Sequence, residues 1–512
     1  MKTDIRKGLA ILLFFLAVYS LVSIGHYGGD GYQDYLTAES IVLDGNLTLY
    51  DRPQDQDDLK YLSDLGVEGR DGKIYSSRSI LGMPFLLAPF YFVGDMLAKF
   101  VGSVPHDYVT MLFVSFANPV FLAFSCLLIF GISKQFGYTD RTSSIVSIVF
   151  GLCTMAPVYA RTGFSGAAVV LFLLLSVLSI FKYEASLKVR YIVLAAVALS
   201  AMFYCKAASL IFFVCFLIYL IWLLKDSSLS AAKRVGHFIL FAGILTLTVS
   251  LAMAVNYYIY GNPFSFGQAN ALELGKRIAG APHVLKGFYY YLISTGKGFL
   301  LFNIPVIFAL IASRRAILKD KKKAVLFFLI FLVNLLFYVK SFRRGSLFSW
   351  GPRYLLPSVG PLLIMCGSYI EDFKRVIQRI VFILGSVIAF FIMLPCMFIN
   401  QSKFYFFVVE KLGLNEYMIN FIPDLSPIKG AWIMLFSRLQ ELCGFNPMPF
   451  VYDPDYRLVQ PISAVLDKYN YLDLWLLKTM DKAPDYTFLV YGAAGLLIIL
   501  AGVSLYNIFA ER

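Results

Sequence analysis

Charge is scarce in this chain: 15% of its 512 residues are Asp, Glu, Lys or Arg, whereas 59% are hydrophobic. That scarcity excludes a soluble globular protein, in which roughly a quarter of residues are charged. Histidine is scarcer still, and the four present, His26, His106, His237 and His283, show no metal-ligand spacing. There is no Walker loop, dinucleotide glycine fingerprint or nucleophile elbow, so a nucleotide site has no sequence to house it. Seven cysteines are an odd number; Cys126, Cys153, Cys205, Cys215, Cys366 and Cys396 fall inside apolar runs, where a thiol packs as a small hydrophobe, and Cys443 alone lies in a segment read as soluble. This is not a disulfide framework. The opening MKTDIRKGLAILLFFLAVYSLVS has a basic start and an apolar core but no small-residue cleavage site, which predicts an uncleaved first span. The net charge of +13 does not point to nucleic acid, because no basic block interleaved with aromatics forms a separate domain.

What the chain does have is long apolar runs. They lie near 8–25, 109–133, 142–160, 164–182, 190–205, 207–224, 236–258, 297–314, 322–340, 353–371, 378–399 and 486–509, which predicts an all-α integral membrane protein, a polytopic bundle of about twelve transmembrane helices. A further apolar run, Ile80 to Val101, is interrupted by Pro84, Pro89, Gly94 and Asp95. With the basic N-terminus in the cytoplasm, the short basic loops around Lys134 and Arg141, Lys182 to Arg190, Lys225 to Arg234, Arg314 to Lys323 and Lys374 to Arg379 all fall on that side if the 80–101 run does not cross. It is therefore read as an interfacial helix in a first outer loop spanning 26–108, with a crossing helix as the alternative. A middle outer loop covers 259–296. Residues 1–399 form the transmembrane module, 400–485 a small outward-facing domain, and 486–512 the final helix and cytoplasmic tail. The first loop is acidic, whereas Lys276, Arg277, Lys286 and Lys297 make the middle one basic. Outward basic residues oppose the topological trend and point to an anionic ligand.

The segment Gly28 to Gly45 places Asp30, Asp34 and Glu39 just beyond the first span. A carboxylate at the hydrocarbon boundary loses hydration, and deprotonating a hydroxyl is one task that justifies it. Asp30 can equally be no more than the cap of a helix that begins near Gly31 and stops at Asp44-Gly45. Tyr32, Tyr35, Leu36 and Val42 or Leu43 recur at near-helical spacing, predicting a short amphipathic helix on the outer leaflet. Outward cations follow: Arg161 in YARTGFSG, Lys206 in FYCKAAS, and Arg343, Arg344 and Arg353 in SFRRGSLFSWGPRYLLP. Such groups grip a phosphate diester, Arg through a bidentate fork and Lys as a point charge, although each alone can simply snorkel to the interface. In the late domain FYFF and Trp432 offer stacking faces for a sugar, or else form an apolar cap on the bundle.

Four segments resemble the membrane-embedded glycosyltransferases of the GT-C fold that use polyprenyl-phosphate sugars, including their protein O-mannosyltransferase-like branch. DGYQDYLTAESIVLDGNLTLY resembles the family's first outer loop, GKIYSSRSILGMPFLLAPFYFVG its second half, GKGFLLFNIPVIFAL the start of a late span, and WGPRYLLPSVGPLL its Gly-Arg-Tyr span. The resemblance implies that Asp30 is the general base and that Lys206 and Arg353, with Arg161 and Arg344 as weaker candidates, bind the donor phosphate. Asp34, Tyr35, Tyr75 and Trp350 would position the acceptor or the loops. Relatives often carry an acid after the residue matching Arg161, and some carry Glu at the position of Gly31; here TGFSGAA supplies Ser165 and Gly166 instead. This departure argues for metal-independent chemistry with no cofactor. The implied reaction moves a hexosyl or pentosyl group, with inversion, from a lipid-linked donor to a lipid, glycan or protein acceptor, at a site facing the outside or periplasm of a plasma (cell inner) membrane. The alternatives are a lipid-linked saccharide transporter or flippase, and an O-antigen polymerase or ligase acting on polyprenyl-diphosphate glycans.

Overall fold

The computed structural model describes residues 2–27, 31–49, 66–76, 81–266, 269–270, 284–340, 348–400, 402–411, 413–414, 416–446, 449–451, 459–461 and 472–510. Helices dominate them. In chain order they are α1 (Lys2–Leu21), α2 (Tyr32–Leu43), α3 (Gly82–Phe100), α4 (His106–Ser115), α5 (Ala117–Gln135), α6 (Asp140–Leu152), α7 (Ala156–Ala160), α8 (Gly166–Ser186), α9 (Val189–Cys205), α10 (Ile211–Asp226), α11 (Ala231–Tyr260) and α12 (Val284–Leu292). There follow α13 (Phe299–Phe302), α14 (Pro305–Ile311), α15 (Ser313–Lys319), α16 (Lys321–Val339), α17 (Leu356–Ile364), α18 (Gly367–Glu371), α19 (Val376–Met393), α20 (Ser402–Phe406), α21 (Glu416–Phe421), α22 (Pro427–Leu442), α23 (Trp475–Lys482) and α24 (Thr487–Phe509). Sheet among the described residues is confined to antiparallel two-stranded pairs, the first joining β1 (Gly66–Glu68) to β2 (Ile74–Ser76).

Among the described residues, eight helical stretches are long and apolar enough to cross a membrane, the architecture of an all-α multi-pass membrane protein. α3 is one of the eight, so the tally differs from the twelve runs expected. The reason is that several runs fold as broken helices. The 297–314 run divides into α13 and α14 around Asn303, and the 142–160 run divides into α6 and α7 around Cys153 to Met155. Broken backbone inside an apolar bundle must find hydrogen bonds within the protein. Here one break serves the other: Asn303 Oδ1 accepts from the Met155 amide (3.2 Å), while its Nδ2 donates to the Phe299 carbonyl of its own run (3.0 Å).

The loops sort into two groups, one at each end of the bundle. At one end Tyr138 donates to or accepts from Ser368 (2.8 Å), Lys319 pairs with Glu371 (2.9 Å), Lys323 donates to the Gln135 carbonyl (3.1 Å) and Arg6 donates to Asn507 (2.6 Å). At the other end Ser23 and Gly25 meet Trp475, Gly31 meets Gly163, Arg161 meets Asp473, and Lys206 meets Tyr354. Both ends of α3 belong to this second group. A Cβ on Gly82 would lie 2.4 Å from the Tyr204 carbonyl carbon, and Ala98 near the far end packs with Val104, Val109 and Ala483.

Helix α2 starts and stops where the sequence indicates, with Asp44 as C-cap and Gly45 at φ +67°. Its surroundings differ from those of an amphipathic helix on a leaflet. Gln33, Asp34, Tyr35, Leu36, Thr37, Ala38 and Ser40 are all buried, because α3 and β2 enclose it. Ser76 Oγ donates to Gln33 Oε1 (3.0 Å), so a polar residue on this helix is held by protein rather than by water.

Candidate active site

The site is built around the loop 161–165 between α7 and α8. Asn118, buried on α5, holds it by donating Nδ2 to the carbonyls of Thr162 and, at 3.0 Å, Phe164. Gly31 presses on its middle: a Cβ there would stand 2.0 Å from the Gly163 oxygen and 2.7 Å from the Tyr27 ring. No larger residue fits, which accounts for the absence of a Glu at this position. Asp30, the preceding residue, lies outside the described residues, as does Arg344.

Arg161 opens the loop but has a different neighbourhood from that expected of a phosphate ligand. It is 2% exposed. Its Nε donates to the Val22 carbonyl (2.9 Å), Nη1 to those of Cys396 and Ile399 (2.7 Å each), and Nη2 to that of Asp473. The guanidinium therefore joins the end of α1, the chain after α19 and the chain before α23. Burial lowers its proton affinity, which the nearby Asp473 partly restores. The α23 side is tied down further, since Trp475 donates its amide to Ser23 (2.8 Å) and its indole to Ser20 (2.8 Å).

On the other flank of the loop stands Arg353, whose guanidinium carbon lies 4.1 Å above the Phe164 ring centre and 5.2 Å from that of Tyr354. Lys206 Nζ sits 4.4 Å over the same Tyr354 ring and 5.7 Å from that of Tyr338, and the two rings stack at 4.6 Å. Both cations are half-buried. The negative ring faces support the charges, by about 0.5–2 kcal/mol each. Stacking uses the face of a guanidinium, whereas phosphate recognition uses its edge. Lys206 is placed by helix termination: α9 ends at Cys205 and the lysine is its extended C-cap. Arg353 is placed by Gly351, whose φ of +55° turns the chain where a Cβ would meet Met155 Sδ and Phe302 at 2.8 Å.

The remaining predicted residues divide by role. Asp34 is 6% exposed and lies close to Tyr27 and Cys205, one residue before Lys206. Tyr35 points away from this centre, bonding Thr110 Oγ1 (2.8 Å) and packing on Tyr91 (5.6 Å). Tyr75 bonds Asp71 (2.8 Å) and lines a groove of about 600 Å³ with Leu47, Leu251, Val255 and Tyr258. Trp350 is fully buried against Phe302 (5.1 Å) with its indole donating to Met393 Sδ (3.3 Å), so it anchors the Arg353 turn and offers no open face. Trp432 is half-buried and stacks on Phe436 (5.1 Å).

Some participants were not singled out from the sequence as site residues, Lys297 reading only as one cation of a basic loop. Asn118 is an ordinary residue in an apolar run. Lys297, fully buried in the turn before α13, donates to the Ser349 carbonyl and Oγ. Its setting between Gly296 and Gly298 was the available signal, because paired glycines mark close backbone approach. Tyr27 is also buried, its hydroxyl without a hydrogen-bond partner among the described residues, and burial together with Asp34 pushes its phenol well above the usual value. Among the described residues, no three His, Cys, Asp or Glu side chains gather as a metal-holding group.

No family model matches the chain, and no curated protein matches it. Among solved structures, it is similar to the Archaeoglobus fulgidus oligosaccharyltransferase in complex with zinc and sulfate, at 10% identity and a TM-score of 0.45. The match covers 74% of this chain and 52% of that one, so the chain spans about half the length of that protein.

Proposed function

We propose that this protein is a membrane glycosyltransferase of the GT-C kind, which moves one sugar from a polyprenyl-phosphate donor to a lipid, glycan or protein hydroxyl on the outer face of the membrane. One observation carries the reading. The loop 161–165 has Gly31 against Gly163 on one side and the Arg353 guanidinium over Phe164 on the other. Asp30 precedes Gly31 in the sequence, which supports a reading in which an acid and a phosphate-binding cation serve one clamped loop.

In this mechanism Asp30 takes the proton of the acceptor hydroxyl as its oxygen attacks the anomeric carbon. The bond from that carbon to the lipid phosphate breaks, inverting the centre. Arg353 and Lys206 stabilise the charge that grows on the departing phosphate, preorganised by their aromatic supports. The motif resemblance of the first loop and of WGPRY supports the same roles. The groups needed come from this chain, without a metal.

The test is Asp30→Asn in purified protein given a radiolabelled polyprenyl-phosphate sugar. Turnover should fall by roughly 10²–10⁴, the usual worth of a general base, with no change in melting temperature. Wild-type turnover in the variant would sink the assignment of the base. Chelator should leave wild-type activity intact, and its abolition would demand a metal. Offering a polyprenyl-diphosphate glycan in parallel separates this reading from a polymerase or ligase. The side of the membrane is tested by labelling Ser103→Cys or Asp107→Cys with an impermeant thiol reagent, where protection from outside counts against an outward site.

A further inference from the structure

The buried lysine of the Gly296-Lys297-Gly298 turn has no part in the mechanism above, yet it is built in tightly. A Cβ on Gly296 would lie 2.6 Å from the Asn420 Cα, and one on Gly298 would lie 2.5 Å from the Ser294 carbonyl oxygen, so the turn is hemmed in by backbone on both sides of the lysine. The ammonium reaches the Ser349 carbonyl and, at 3.3 Å, Ser349 Oγ, and sits 5.2 Å over the Tyr405 ring. Tyr405 donates its own hydroxyl to that same carbonyl (3.1 Å). Ser349 thus takes two hydrogen bonds on one oxygen, from elements that lie before and after it in the chain.

Three residues, Trp350, Gly351 and Pro352, separate Ser349 from Arg353, and the chain between them has little slack. The Trp350 carbonyl accepts from Tyr159 (2.6 Å), its indole is engaged with Met393, and Gly351 is wedged between Met155 and Phe302. A shift of the Ser349 peptide therefore moves the base of the arginine side chain. We propose that Lys297 is a positioning residue for Arg353, acting through the Ser349 carbonyl together with Tyr405, and that it does not touch the donor. This rests on the reading of Arg353 as a donor-phosphate ligand. It also gives the segment after residue 400 a task at the site, since Tyr405 lies on α20.

The test compares Lys297→Met, Tyr405→Phe and Arg353→Ala, singly and combined, by steady-state kinetics with a polyprenyl-phosphate sugar. Misplacement on the order of 1 Å costs up to about 100-fold, so Lys297→Met should approach that loss in kcat/KM. The loss should divide between kcat and KM as it does in Arg353→Ala. Tyr405→Phe removes one hydrogen bond and should lose about 2–10-fold in the same parameter. In the Arg353→Ala background neither substitution should cost more, because the interaction they serve is gone. Independent losses that multiply onto Arg353→Ala, or wild-type kinetics in folded Lys297→Met, overturn the inference alone. Full turnover in Arg353→Ala overturns the reading of the site and the inference with it. Should Lys297→Met fail to give monodisperse protein, Tyr405→Phe decides by the same criteria.

Discussion

Arg161 and Arg353 sit on the two flanks of one loop and have opposite surroundings. Arg161 is immersed in protein, its N–H groups directed at backbone carbonyls from three distant stretches of chain. Arg353 is half-buried, stacked on Phe164 and Tyr354. A guanidinium facing carbonyls satisfies acceptors that would otherwise be buried and unpaired, which makes it part of the fold. A guanidinium resting on rings is oriented through its face, as Arg353 is over Phe164, and its Nη2 also donates to the Tyr354 hydroxyl (3.4 Å). What distinguishes the two is the kind of partner, not the residue type or its position near a span end.

The largest effect that follows is on stability. Arg161→Met strips a donor from four buried carbonyls, each worth roughly 1–3 kcal/mol when left unsatisfied, so little folded protein should be recovered from detergent extracts. Arg161→Lys should not rescue it, since one ammonium cannot reach all four. Normal yield and melting temperature for Arg161→Met would erase the contrast with Arg353. Next comes Arg353→Ala, expected to cut kcat about 10²–10³-fold while the protein remains folded and melts within a few degrees of wild type. A large loss of stability instead would make Arg353 a second structural clamp. Gly31→Ala, which places a methyl against the Gly163 oxygen, should destabilise by about 1–3 kcal/mol and also lower turnover, because it pushes on the support shared by both flanks. Smallest is Phe164→Leu, which removes a ring face but keeps an apolar contact. It should weaken donor binding by no more than about 2 kcal/mol, seen as a raised KM, with the melting curve unchanged.

Much of the fold is legible in hydropathy, because a bilayer span needs length and apolarity that few other elements have. The limits of α2 are legible too, through the Asp44-Gly45 stop. Broken helices are not, since the break at Asn303 is tolerable only because the Met155 amide faces it across the bundle. The burial of α2 escaped for a similar reason: its polar Gln33 is matched by Ser76, which no periodicity reveals. At the site, Lys206 and Arg353 could be found as cations near span ends next to aromatic residues. Arg161 reads the same way in one dimension. Its partners at Val22, Cys396, Ile399 and Asp473 are backbone oxygens remote in sequence, and any residue type would supply them. Lys297 reads, with Lys276, Arg277 and Lys286, as one of the outward cations of a basic loop, and its burial against Ser349 is invisible in one dimension because that partner lies 52 residues away.

The 30-residue helix α11 has a further consequence. At 1.5 Å per residue it is about 45 Å long, against a hydrocarbon core of about 30 Å. Its upper end is fastened to the β1–β2 hairpin, where the Arg70 amide donates to the Ile259 carbonyl (2.8 Å) and Tyr260 donates to the Ser76 carbonyl (3.1 Å), and Ser76 in turn holds Gln33 on α2. The helix is thus a mast whose rigging ends two residues from Gly31. A thicker or thinner bilayer tilts such a mast, and the tilt is passed through the hairpin and α2 to Gly31 and the loop 161–165 on which it presses.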